Sequence, residues 1–168
     1  MHTCGYCGTE VQVKVNMAYC SFCEMDLWEE DITEDGQRRE LVVQKAVLLI
    51  DAKRPTPYLM EQSAFSLIKL LKLVRAERKR LYEMSRLFRK GNEVGGGFTE
   101  QQQVVNEDYE LFCRKAWAIE NILRDKMGVF PARITDDMLE KMLEQMHKQG
   151  YDIMNFRAPR SYTDSLKK

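Results

Sequence analysis

Four of the five cysteines fall in two C-x2-C pairs, Cys4/Cys7 and Cys20/Cys23, with twelve residues between the pairs. A short turn between paired cysteines aims both sulfurs at one point, and two such turns supply the four thiolates of a tetrahedral zinc site. Four protein ligands leave no position for water, so the zinc expected here is structural rather than catalytic. A redox dithiol is the competing reading of a C-x2-C pair. Such a motif occurs once, after a buried strand of a larger α/β pattern, and this chain carries the pair twice. Gly5 and Gly8 flank the first pair and permit the tight backbone that leaves amides free to bond thiolates. Twelve intervening residues suffice for a β-hairpin that returns the second pair beside the first.

The remaining reactive side chains give no catalytic set. His2 reads as a free terminal residue and His147 as a solvated helix residue, while Cys113 sits beside an apolar stripe as a packing thiol without a partner base. No phosphate loop, nucleophile elbow or metalloprotease motif is present. The second feature that points to a partner is charge. Residues 69–90 carry 9 basic and 2 acidic side chains, net +7, whereas residues 1–40 carry 3 basic and 9 acidic, net −6. Lys69, Lys72, Arg75, Lys79, Arg86 and Arg89 fall on one face of a helical pattern, where they offer contact to phosphates or to an acidic protein surface. The bland alternative is a solvated face, or one neutralised by the acidic head. No base-reading motif accompanies this face, nor the stacking aromatics of a single-strand binder.

These groups need elements to hold them. Residues 1–30 form the metal module. Glu10–Val15 alternates as a strand with its valines on one face, Asn16 turns the chain, and the acidic run after Cys23 reads as a short helix. Residues 39–150 form a helical domain, with helices expected at about 39–52, 57–90, 99–127 and 135–149. Pro55 and Pro57 end the first, Thr56 caps the second, and Thr99 with Gln102 forms a capping box for the third. Leu67, Leu70, Val74, Leu81, Met84 and Phe88 repeat at helical spacing, as do Val105, Tyr109, Phe112, Ala116, Ile119 and Leu123. Two striped helices joined by the short Gly95–Gly97 run pack as an antiparallel hairpin, although the same stripes would also serve a homodimer. Gly128 and Pro131 close the third helix, Thr135 opens the fourth, and the tail 151–168 shows no period.

Cys4-Gly-Tyr-Cys7-Gly8 resembles the first half of the zinc-ribbon and treble-clef modules, over about the first 26 residues only. Glu24 stands where the ribbon form places Gly, which favours the treble-clef arrangement, with the last two thiolates at a helix N-terminus. The chain is also similar to small bacterial anti-sigma factors that carry two C-x2-C pairs followed by helix. That similarity implies binding to a sigma factor or RNA polymerase.

At 168 residues, 44% hydrophobic, 31% charged and net charge zero, the chain fits one ordinary ordered domain with a small appendage. Its longest apolar run, Ala46–Ile50, is too short for a bilayer, and the N-terminus lacks a signal-peptide pattern, so a cytoplasmic location is expected. A mainly α protein with an N-terminal Cys4 zinc knuckle follows. Its expected work is non-catalytic regulation through a protein partner in bacterial or phage transcription. Nucleic-acid binding through the basic helix is the alternative.

Overall fold

A computed structural model of the protein describes residues 1–39 and 46–150. The backbone divides into two compact units, one of Met1–Leu41 with the chain from Leu143 on, which carries all the described strands, and a helical one spanning Val42–Met142.

The strand-bearing unit is built from short hairpins. Strand β1 (His2–Cys4) pairs antiparallel with β5 (Ile32–Glu34), while β2 (Val13–Lys14), β3 (Met17–Cys20) and β4 (Met25–Trp28) form a meander. Lys14 faces Met17, so only Val15 and Asn16 connect β2 to β3. Both take positive φ, 47° and 65°. This is the twist that closes a two-residue hairpin, and Asn16 suits it while Val15 is strained. The valines of residues 10–15 therefore do not share a face: Val11 is buried, but Val15 sits exposed at the turn.

The expected helix after Cys23 is absent. Residues 25–28 instead form β4, in register with β3 as Met17↔Trp28, Ala18↔Leu27, Tyr19↔Asp26 and Cys20↔Met25. Period-two geometry buries Leu27 against Ala18 and turns Trp28 outward. Only one 3-10 turn, Glu29–Asp31, follows before β5. The core of this unit is small: Cys4, Val11, Ala18, Cys20 and Leu27 are its buried members, with Cys7, Cys23 and Ile32 packed alongside.

The helical unit is organised by two long antiparallel helices, α2 (Ala64–Glu93) and α3 (Thr99–Met127), preceded by α1 (Thr56–Glu61) and followed by the first part of α4 (Asp136–Gly150). The sequence stripes are its interior. Leu67, Leu70, Val74 and Leu81 of α2 bury against Val105, Phe112, Ala116, Ile119 and Leu123 of α3, with Met84, Phe88 and Tyr109 at the margin. The stripe is thus covered within one chain. Polar fastenings fix its register: Ser85 donates to Asn106 at 2.5 Å, and Asn92 bonds both Gln102 and the Phe98 amide across the connecting loop.

Three helix boundaries differ from expectation. Where α-helix was expected over 39–52, residues 46–48 are non-helical and Leu49–Lys53 is a 3-10 helix; 40–45 lie outside the described residues. Asp51 accepts from the Leu48 amide at 2.9 Å, a local bond that favours the tighter turn, and Pro55 leaves no length for a longer helix. The helix expected over 57–90 is divided, because Gln62 is extended and Ser63 caps α2 by accepting from the Ser66 amide at 3.1 Å. Its predecessor α1 begins at Thr56, with Pro55 rather than Thr56 in the cap position. At α3 the capping box does not form; Phe98 occupies the cap and Gln102 bonds Asn92 instead. Thr135 does accept from the Met138 amide at 3.2 Å, and Gly128 ends α3 in the left-handed conformation. The tail 151–168 lies outside the described residues.

Candidate metal centre

Cys4 ends β1 and Cys20 ends β3, both fully buried, while Cys7 and Cys23 lie in the turns that follow. In the first turn the Gly8 amide donates to the Cys4 carbonyl at 2.7 Å and the Cys4 amide to the Thr9 carbonyl at 2.9 Å. In the second, the Cys23 amide donates to the Cys20 sulfur at 3.4 Å. The two turns match at a further point. The residue after each second cysteine has positive φ, 73° at Gly8 and 53° at Glu24. Glu24 therefore takes the backbone shape for which glycine is the usual choice, at some steric cost.

The hairpins bring the four sulfurs within 4.8 Å of one another, with Cys4–Cys23 at 3.9 Å and Cys7–Cys20 at 3.5 Å. Four sulfurs bound at the usual zinc–thiolate distance in a tetrahedron stand about 3.8 Å apart. A disulfide would need about 2 Å, and all four cysteines are free thiols. The donor set fits a soft or borderline cation such as zinc, held by Cys4, Cys7, Cys20 and Cys23 in a closed site.

Electrostatics in the metal-free thiol cluster are uneven. Burial pushes the Cys4 thiol up, against amide bonds from Cys7 and Tyr6 that favour its thiolate. Burial acts the same way on Cys7, but hydrogen bonds from the Thr9 hydroxyl and amide outweigh it and leave this thiol lowered to about 6. Cys23, sharing a proton with Cys7 and desolvated as well, is pushed up to about 12. Crowded thiols cannot all ionise unaided, and a divalent cation at their centre removes that conflict.

Around this cluster lies a fastening that the sequence reading missed. The Asp31 carboxylate, nearly buried, accepts from the Tyr6 hydroxyl at 3.1 Å and from the Arg39 guanidinium, which also lies over the Tyr6 ring. It ties the first cysteine turn to the chain beyond β5. Residues 6, 31 and 39 are too far apart in sequence for spacing to reveal the set.

The six basic residues singled out on α2 are not one free face. Arg75 points inward: its guanidinium bonds Glu120 at 2.7 Å and the carbonyls of Pro131 and Ala132 at 2.9 and 3.0 Å. Arg75 thus holds α2 to α3 and to the α3–α4 connection. Lys72 pairs with Asp136, and Lys69 lies over the Phe65 ring. Lys79, Arg86 and Arg89 are more open, with Lys79 near Glu83, Arg89 near Glu93 and Arg86 over Tyr82. His147 is exposed, and Cys113 is half-buried beside the Tyr109 hydroxyl, whose pKa its hydrogen bond raises. No helix among the described residues is long and apolar enough to cross a membrane. No protein-family model, curated protein or solved structure matches this chain, so the functional reading rests on the geometry of the four-thiol site and the surfaces it shapes.

Proposed function

We propose that this chain is a non-catalytic zinc protein of ribbon type that acts as an adaptor or regulator by binding another protein. The observation that carries the reading is the closed set of four thiols. A metal with four protein ligands has no place for substrate or activated water, and its work is to fold the module around it. The β-hairpins that hold both cysteine pairs support the ribbon form over the treble clef.

Zinc, when bound, would join the ends of β1 and β3 through their cysteine turns, and the rest of the module supplies surface. Tyr6, Tyr19, Phe22 and Trp28 are large aromatic side chains left exposed on a unit with a minimal core. Exposed aromatics in such number support a protein-contact role. Transcription is the setting implied by the resemblance to four-cysteine anti-sigma factors, with a sigma factor or RNA polymerase as partner. The nucleic-acid alternative is weakened because Arg75 is engaged inside the fold, Lys72 pairs with Asp136, and two of the three outer cations, Lys79 and Arg89, have acidic neighbours at i+4.

Purified chain should contain one zinc per molecule, and affinity capture from the native host should recover a partner that is lost on chelation. Metal-free purified protein, or a partner retained after zinc removal, defeats the reading. Salt-sensitive binding of DNA that disappears in Lys79→Glu, Arg86→Glu would transfer the function to the helix.

A further inference from the structure

The outward face of the β2–β3–β4 meander has one exposed row formed by Lys14, Met17 and Trp28, which are cross-strand partners, and a second formed by Tyr19 and Asp26. Directly paired residues share a face, so all five side chains project to the same side, opposite the buried Ala18 and Leu27. Tyr19 is 58% and Trp28 60% exposed. A shallow groove of about 460 Å³ touches this face at Lys14, Met17, Tyr19 and Asp26, with Trp28 outside its lining. Glu24, Asp26, Glu29 and Glu30 surround Trp28 in sequence, are exposed, and make no ion pair among the described residues.

Resting on the adaptor reading above, we infer that this sheet face docks an extended, basic segment of a partner protein, with apolar side chains on the Met17/Trp28 row and Arg or Lys on the Tyr19/Asp26 row. Alternate side chains of an extended peptide recur about every 6.8 Å, which is also the repeat between alternate residues along a strand and so between these rows. A cation on the second row meets a carboxylate and an aromatic ring together, and both attract it. Net charge selects the partner class. Residues 1–40 carry nine acidic and three basic side chains, a field that draws in a basic peptide and repels a phosphate polymer. The aromatic side chains supply large contact area at little entropic cost, as anchors at protein interfaces do.

Random dodecapeptides displayed on phage, selected against the immobilised full-length zinc-loaded chain, test the assignment. Selected peptides should carry Arg or Lys two residues from an aromatic or aliphatic side chain. A synthetic peptide of the winning sequence should lose at least tenfold in affinity with Tyr19→Ala and with Asp26→Lys, and be unaffected by Lys79→Glu. Both surface variants should retain stoichiometric zinc, which separates lost contact from lost fold. Acidic or unbiased winners, no winners, or affinity unchanged in the two variants would overturn the inference. So would a monomer–dimer equilibrium in sedimentation that Trp28→Ala abolishes, since the face would then belong to a second copy. Full zinc with no peptide bound defeats this surface alone, whereas absent zinc defeats the adaptor reading beneath it.

Discussion

Glu24 shows how one residue records the demands of the metal turn. Its φ of 53° matches that of Gly8 at the equivalent place in the first turn, and a side chain there crowds its own carbonyl. Glu24→Gly should stabilise the zinc-bound protein, because relief of a strain of about 1 kcal/mol exceeds the extra chain entropy that glycine brings to the unfolded state. A gain of about 0.5 kcal/mol by denaturant titration is the expected size. A loss of similar size would mean that the Glu24 side chain makes a compensating contact. The same residue explains why no helix follows Cys23. An acidic run after a cysteine pair carries the charge pattern of a helix start, yet the turn at Glu24 sends the chain back along β3, and pairing with four β3 residues outweighs that local preference.

Among the elements, α2 gains definition from its N-terminal cap. Ser63 caps the Ser66 amide and interrupts what the apolar pattern alone reads as one helix from 57 to 90. Ser63→Ala should cost the helical unit about 1 kcal/mol without displacing α3, measured as a lower denaturant midpoint at unchanged helical signal. Further along, Glu77 accepts two bonds from Arg80, at 2.8 and 2.6 Å, and that hydrogen bonding holds its carboxyl below the usual 4.5. A depressed folded pKa adds stability that is present above about pH 4.5 and is lost as pH falls through the folded value. Glu77→Gln should flatten that acid limb; the pair is solvent-facing on the Arg80 side, so the change should stay within about 0.5 kcal/mol. The hairpin itself was legible because six residues in each of α2 and α3 repeat at helical spacing over several turns, and all of them line the shared core. What was not legible depends on contacts distant in sequence. Arg75 looks like its solvated neighbours until α3 supplies Glu120, and the segment 46–53 looks helical until Val47, Leu49 and Ala52 are seen to cover the first turns of α2. The gathering of the four cysteines was legible, since the spacing within each pair is a local property of one turn.

At the scale of the whole molecule the two units differ in what stabilises them. Among the described residues the hydrophobic cluster of the helical unit has fourteen buried members, whereas that of the strand-bearing unit has five, two of them cysteines. A core that small does not offset the entropy of ordering some forty residues, and a cation bound by the four thiols would contribute the difference. Removing the metal should therefore unfold the N-terminal unit and leave the helices standing. Chelation is expected to deprotect the amides of β1 to β5 in hydrogen exchange while the amides of α2 and α3 keep their protection, with little change in helical circular dichroism. Acid should do the same as chelator, because protons compete for the four thiolates, so metal release on lowering pH should coincide with loss of β-strand protection and precede any loss of helix. Cys20→Ser removes one buried ligand and should reproduce the chelated state at neutral pH. If β1 to β5 stay protected after the metal is gone, the module folds on its own core, and the assignment of the four thiols to a structural cation fails.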